Sequence, residues 1–225
     1  MCVYLHNGAM GDIIYALPVL RETPGVLALT KAKQLEFLYP LLALQPYVTG
    51  VTLDRYLTGF IDLCKYREIS QADLSKHLAT CHAEAVGVEV DLETPWLENV
   101  TPNPVAKIIV NRTSRYHGKL DWTALWPFID DILFVGSERE NECFPTMLLR
   151  HHKINDALEL AQVIAGSSLF IGNQSCAFAI AEALKHPRVL EVSTKKPNCM
   201  PHGAEGWTEL TTGRIEELCS LEPHN

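Results

Sequence analysis

Short apolar runs of β character alternate with segments of helical spacing along almost the whole chain, and that alternation narrows the fold more than any other feature. Residues 3 to 5 read as a strand, Gly8-Ala9-Met10-Gly11 as a glycine turn, and 12 to 20 as a helix with Ile13, Ala16, Leu17 and Leu20 at helical spacing. Strands at 26–29, 48–53 and 61–63 and helices at 34–44 and 72–85 continue the pattern. Glu98-Asn99-Val100-Thr101-Pro102-Asn103-Pro104 then interrupts it, because its prolines and polar residues break any regular element. Beyond this stretch the alternation restarts, with strands expected at 107–110, 132–135, 169–172 and 189–192 and helices at 121–128, 156–165 and 175–184. Successive β and α steps form parallel sheets covered by helices. The sequence therefore predicts an α/β fold of two Rossmann-like domains facing a cleft, residues 1–100 and 106–225, with a linker at about 98–105.

Composition removes several classes of function. The net charge is -8, so no global field draws the protein to nucleic acid or anionic lipid. No stretch approaches the roughly 20 apolar residues of a membrane span. The first residues carry no basic segment followed by a long apolar one, so a cytoplasmic location is expected, with the seven cysteines as thiols. Those cysteines, at 2, 64, 81, 143, 176, 199 and 219, form no Cys-x-x-Cys pair. Metal ligands occur only as pairs (Cys81-His82, His151-His152, Cys199 with His202), and the acidic run Glu89-Val90-Asp91-Leu92-Glu93 lies far from the glycine loops, so no metal site is expected. No Gly-x-Ser-x-Gly elbow is present.

Three segments could carry chemistry. In Gly8-Ala9-Met10-Gly11-Asp12 a glycine loop opens a helix, where free N–H groups suit an anion, while Asp12 either caps the helix or faces a ligand. It lacks both the third glycine of a dinucleotide fingerprint and the Gly-Lys-Ser/Thr of a P-loop. Asn111-Arg112-Thr113-Ser114-Arg115-Tyr116-His117-Gly118-Lys119 follows a strand and gathers cations and hydroxyls suited to phosphate, or else to a solvated loop. Gly172-Asn173-Gln174-Ser175-Cys176 leads from a strand into a helix whose positive end is either a diphosphate site or a simple capped turn.

Together these segments resemble the heptosyltransferase-like glycosyltransferases, a metal-independent GT-B family that includes the ADP-heptose:lipopolysaccharide heptosyltransferases. Gly8 to Leu20 is similar to that family's Gly-x-x-Gly-Asp-x-x-x-x-x-Pro-x-Leu signature. Thr113 to Lys119 with Trp122 resembles its phosphate loop, and Phe134-Val135-Gly136-Ser137-Glu138 its nucleoside-contacting strand. Leu158 to Ala165, Gly172 to Ser175 and Ala181 to Leu184 resemble its C-terminal series. The resemblance implies a GT-B fold and an inverting, metal-independent transfer from a nucleotide-diphosphate sugar to a glycan or other hydroxyl acceptor, with no cofactor. Asp12 would be the base. Gly8, Gly11, Thr113, Ser114, Arg115, Lys119, Gly136, Glu138, Asn173, Gln174, Ser175 and Cys176 would bind substrate.

The chain departs from the family at Gln174 (usually Asp), Cys176 (usually Gly) and Ala179 (often His), and it is shorter than typical members. These departures leave the transferred sugar open. The same motifs also suit a non-catalytic nucleotide-sugar-binding protein, a nucleotide-sugar epimerase, or a phage-type glycosyltransferase acting on modified DNA bases, the last opposed by the net charge.

Overall fold

The structure, a computed structural model, describes residues 2–54 and 58–220. The first half builds β1 (Cys2–His6), α1 (Met10–Glu22), β2 (Gly25–Leu29), α2 (Ala32–Leu42), β3 (Val48–Leu53), β4 (Ile61–Asp62), α3 (Tyr66–Ala72) and α4 (Leu78–Val86). Its four strands are parallel, in the order β3-β2-β1-β4. The second half builds β5 (Ile108–Asn111), β6 (Ile132–Val135), α5 (Glu138–Glu142), β7 (His151–His152), α6 (Ala157–Ala165), β8 (Leu169–Asn173), α7 (Cys176–Ala183), β9 (Arg188–Glu191), β10 (Gly206–Trp207) and α8 (Thr212–Ser220). Its six strands are also parallel, ordered β10-β9-β8-β5-β6-β7. Each sheet thus starts in the middle and winds outward both ways, which creates a switch point beside β1 in one and between β5 and β8 in the other. In open α/β sheets ligands bind at such points, outside the carboxyl ends of the strands.

The expected strands are present. The helix expected at 72–85 starts later and is α4, Leu78–Val86: the Asp73 carboxylate accepts from the Ser75 N–H (2.9 Å) and hydroxyl (2.6 Å), forming a turn, and the helix begins only after His77, whose Nδ1 accepts from the Ala79 N–H. An additional helix that the sequence pattern did not predict, α3, precedes it and packs against it. The segment expected as a helix at 121–128 is a 3-10 helix, Trp122–Asp131, containing Pro127. Elements α5, β7, β10 and α8 are short or weakly patterned and were not expected.

The halves share one apolar core. Every residue of α1 from Ile13 to Leu20 is buried, as is every residue of α7 from Ala177 to Ala183, because the two helices pack on each other between the sheets. A helix apolar all round is one enclosed on all sides. Residues 88–107 carry no regular element, yet Trp96 is fully buried, donating from Nε1 to the Ile14 carbonyl (3.2 Å), while the Trp96 and Leu97 N–H groups donate to the Ala183 carbonyl at 2.9 and 3.2 Å. A second core on the far face of the larger sheet, around Ile108, Phe134 and Ile171, is covered by Trp122, Leu125 and α8.

Candidate active site

The starts of α1 and α7 meet. A Cβ on Gly11 would stand 3.3 Å from the Ser175 carbonyl oxygen and 3.5 Å from the Cys176 nitrogen, so the two helix ends are in close contact and even an alanine there would press on the Ser175 carbonyl. A cleft of about 270 Å³ opens there, lined by Gly11 and Asp12, by Tyr66, Arg67 and Ser70 of α3, by Arg115 and Tyr116, by Gln174, Ser175 and Cys176, and by Lys196, Asn198 and Cys199. Two positive helix ends and three cationic side chains face a space with one carboxylate, an electrostatic setting made for an anionic ligand.

Asp12 occupies the third position of α1 rather than its cap. Ala9, the capping residue, has no side chain to accept a hydrogen bond, so the Asp12 carboxylate reaches back and accepts the Ala9 N–H on Oδ2 (2.9 Å). The Tyr66 hydroxyl donates to the same oxygen (2.7 Å). Gly8 is enclosed: a Cβ there would lie 2.5 Å from the His6 ring and 2.9 Å from Asp12 Oδ2. Its carbonyl accepts from Gln34 Nε2 (2.8 Å).

Beneath this loop lies a buried imidazole pair. The Gly8 N–H donates to His6 Nδ1 (2.9 Å), His6 Nε2 meets His82 Nε2 (3.0 Å), and His82 Nδ1 meets the Leu78 carbonyl (2.8 Å). Only one pair of neutral tautomers satisfies all three contacts, with protons on His6 Nε2 and His82 Nδ1. Burial holds His82 down to about 4, and burial followed by repulsion from His82 holds His6 well below the usual imidazole range.

In the second half several residues expected at the donor are turned inward. Asn173 is fully buried; its Oδ1 accepts from the Thr113 N–H (3.0 Å) and its Nδ2 donates to the Thr113 and Arg115 carbonyls, so it shapes the loop that presents Arg115. Gln174 lines the cleft but uses its amide on the following loop, donating to the Lys196 carbonyl (2.8 Å) and Asn198 Oδ1 (2.9 Å) and accepting from the Ser193 N–H (3.2 Å). Asn198 carries the chain of contacts across the cleft, its side-chain Nδ2 donating to Ser70 Oγ (3.3 Å) and its backbone carbonyl accepting from the Leu78 N–H (2.9 Å). The aspartate of the family signature could not make the two donations of Gln174. Ser175 caps α7 by accepting from the Phe178 N–H (3.2 Å) and donates to Asn111 Oδ1 (2.8 Å).

Thr113 and Ser114 line a neighbouring hollow of about 420 Å³ with Arg112, Ser137, Arg139 and Glu140. Gly136 turns the chain beside it with φ +150°, whereas the exposed Glu138 lines neither this hollow nor the cleft. Lys119 stands apart in a third hollow with Arg112, Trp122 and Glu191, where Arg112 forms a two-pronged ion pair with buried Glu191 at 2.8 and 2.9 Å. The structure therefore brings Gly11, Asp12, Arg115, Gln174, Ser175 and Cys176 together and leaves Lys119 and Glu138 outside the cleft. Desolvation pushes the thiols of Cys176 and Cys199 up to about 12, so neither is a thiolate nucleophile near neutral pH.

Sequence reasoning missed Tyr66, Arg67, Ser70, Lys196 and Asn198. For the first three a signal existed: a strand at 61–63 in an alternating chain calls for a helix directly after it, at the switch point, and Tyr66 to Ala72 is that helix.

No protein-family model matches the chain, and no curated protein matches its sequence. Solved structures match its fold. Escherichia coli heptosyltransferase WaaC with ADP aligns with TM-score 0.63 at 13% identity, over 96% of this chain and 98% of that one. The glycosyl transferase family 9 structure from Veillonella parvula aligns with TM-score 0.61 at 12% identity, over 97% and 96%. E. coli ADP-heptose lps heptosyltransferase II aligns with TM-score 0.52 at 13% identity, over 99% and 95%. The two parallel sheets, their helices and the cleft between them are thus the GT-B-like α/β fold that the heptosyltransferases have.

Proposed function

We propose that this chain is a glycosyltransferase that moves a sugar from a nucleotide-diphosphate donor to an acceptor hydroxyl, with inversion and without a metal ion. One observation carries the reading: Asp12, on the first half, and the α7 helix end, on the second, line the same cleft. Displacement at a sugar carbon needs charge stabilisation for the departing diphosphate and a base for the attacking hydroxyl. The N–H groups at the start of α7, with Arg115 and Lys196, supply the first, and the nucleoside would extend into the hollow beside Thr113 and Ser114. Asp12 supplies the second. The acceptor would enter over α3. In this reading the halves act as donor side (about 106–225) and acceptor side (about 1–100); a nucleotide-sugar donor is supported by heptosyltransferases of the same fold solved with ADP and with ADP-2-deoxy-2-fluoro heptose.

The test is a panel of nucleotide-diphosphate sugars, scored first by calorimetry and then by nucleotide release with mixed acceptors. Asp12→Asn keeps the shape of the side chain and can still accept from Ala9 and Tyr66, so the fold and donor affinity should survive while transfer slows by roughly 10² or more. Near wild-type transfer by that variant would mean that the base lies elsewhere.

A further inference from the structure

The partner that the structure gives Asp12 is Tyr66, 54 residues away in sequence. The Tyr66 ring is in contact with three neighbours, His82, His6 and Arg67. It stacks on His82 with centroids 4.1 Å apart and planes inclined by 21°, and lies 5.7 Å from the His6 ring at 22°. The Arg67 guanidinium carbon sits 5.2 Å from the ring centroid, and its Nη1 donates to Asn7 Oδ1 (2.6 Å) on the glycine loop. The imidazoles that form the platform are themselves bonded to Gly8 and Leu78, which leaves the stack one arrangement. Burial, reinforced by the neighbouring carboxylate, pushes the Tyr66 phenol up, so it remains a hydrogen-bond donor throughout the neutral range.

Both hydrogen bonds to Asp12 fall on Oδ2. Among the described residues none is made to Oδ1. One oxygen is thus anchored from two directions while the other stays available for a proton from a ligand, an arrangement that helix capping alone, through Ala9, does not require. We propose that Tyr66 is the positioning residue for Asp12, its hydroxyl fixing the carboxylate with Oδ1 free to receive the acceptor's proton, and its ring fixed in turn by the His6–His82 pair. This role rests on the glycosyltransferase reading.

Tyr66→Phe in the full chain keeps the stacked ring and removes only the hydroxyl. The expected result is a fall in kcat of roughly tenfold, the equivalent of one hydrogen bond to a charged group, with KM for the donor unchanged. Because Tyr66 acts through Asp12, adding Tyr66→Phe to Asp12→Asn should cost no further rate, whereas two independent roles would multiply. The proton NMR resonance of the Tyr66 hydroxyl, identified by its loss in Tyr66→Phe, gives a readout that needs no substrate: it should be protected from exchange in the wild-type chain and lost in Asp12→Ala. An unchanged kcat, a raised KM instead of a lowered kcat, multiplicative losses, or a resonance that survives Asp12→Ala would each overturn the proposal. A wild-type chain that shows the protected proton but transfers sugar from no donor would overturn the glycosyltransferase reading and leave the Tyr66–Asp12 anchor standing.

Discussion

Gln174→Glu is the most direct test of how the second half is held against the first. The native amide donates to two acceptors, the Lys196 carbonyl at 2.8 Å and Asn198 Oδ1 at 2.9 Å, and accepts from the Ser193 N–H at 3.2 Å. A carboxylate of the same shape keeps the third contact and turns the first two into oxygen facing oxygen. Each lost hydrogen bond removes about 1 kcal/mol, and a buried acceptor left without a donor costs about 1–3 kcal/mol more. Asn198 can relieve one of the two by turning its amide, but its present donation to Ser70 must then be remade from the Ser70 hydroxyl. The Lys196 carbonyl belongs to an exposed residue at the cleft and can accept from water in its place. The expected loss is about 2 kcal/mol, equivalent to a melting temperature lower by about 4–8 °C for a chain of this size. Urea unfolding followed through the four tryptophans measures it. Protonation would restore one donor to the new side chain, so the deficit should shrink as the pH falls from 7 to 5. A loss under about 1 kcal/mol, the same at both pH values, would show that these contacts do not brace the cleft.

Arg115 lines the cleft and Lys119 does not, so Arg115→Ala should weaken nucleoside-diphosphate binding by about tenfold or more while Lys119→Ala has the smaller effect; calorimetry showing the reverse order would place the diphosphate in the hollow beside Trp122. The cationic side chains and helix ends that line the cleft already supply positive charge, so donor turnover should persist in excess EDTA, and an absolute requirement for Mg or Mn would refute metal independence. His6 and His82 are buried as neutral imidazoles, so the unfolded chain binds protons that the folded chain refuses. Their contribution is complete above about pH 6.5 and is lost as the pH falls from there toward and below 4; for His82 alone the shift from 6.5 to about 4 corresponds to about 3 kcal/mol. Urea midpoints measured between pH 7 and 4 should fall accordingly, and by less in a His82→Gln variant; a flat profile would contradict the buried neutral pair.

The sequence by itself determined the layering of the fold and the two helix ends that matter. Strand and helix periods are local properties, so β1, β5 and β8 could be read from apolar runs of a few residues, and Gly8, Gly11 and Ser175 from turn and capping chemistry. The same local evidence started the helix at 72–85 six residues early, because a single side-chain turn at Asp73 and Ser75 delays α4 to Leu78. Only the tertiary structure decided what each polar side chain is used for. Asn173 and Gln174 sit at the expected helix entrance, yet their amides meet loops 60 and about 20 residues away and turn from ligand contacts into braces. Asp12 carries the opposite lesson: its position was legible, but its anchor was not, since Tyr66 and the two histidines beneath it reach the site from three separate elements. A hydrogen bond is fixed by distance in space and by what else competes for each donor and acceptor, and neither quantity is encoded in the neighbouring residues of the chain.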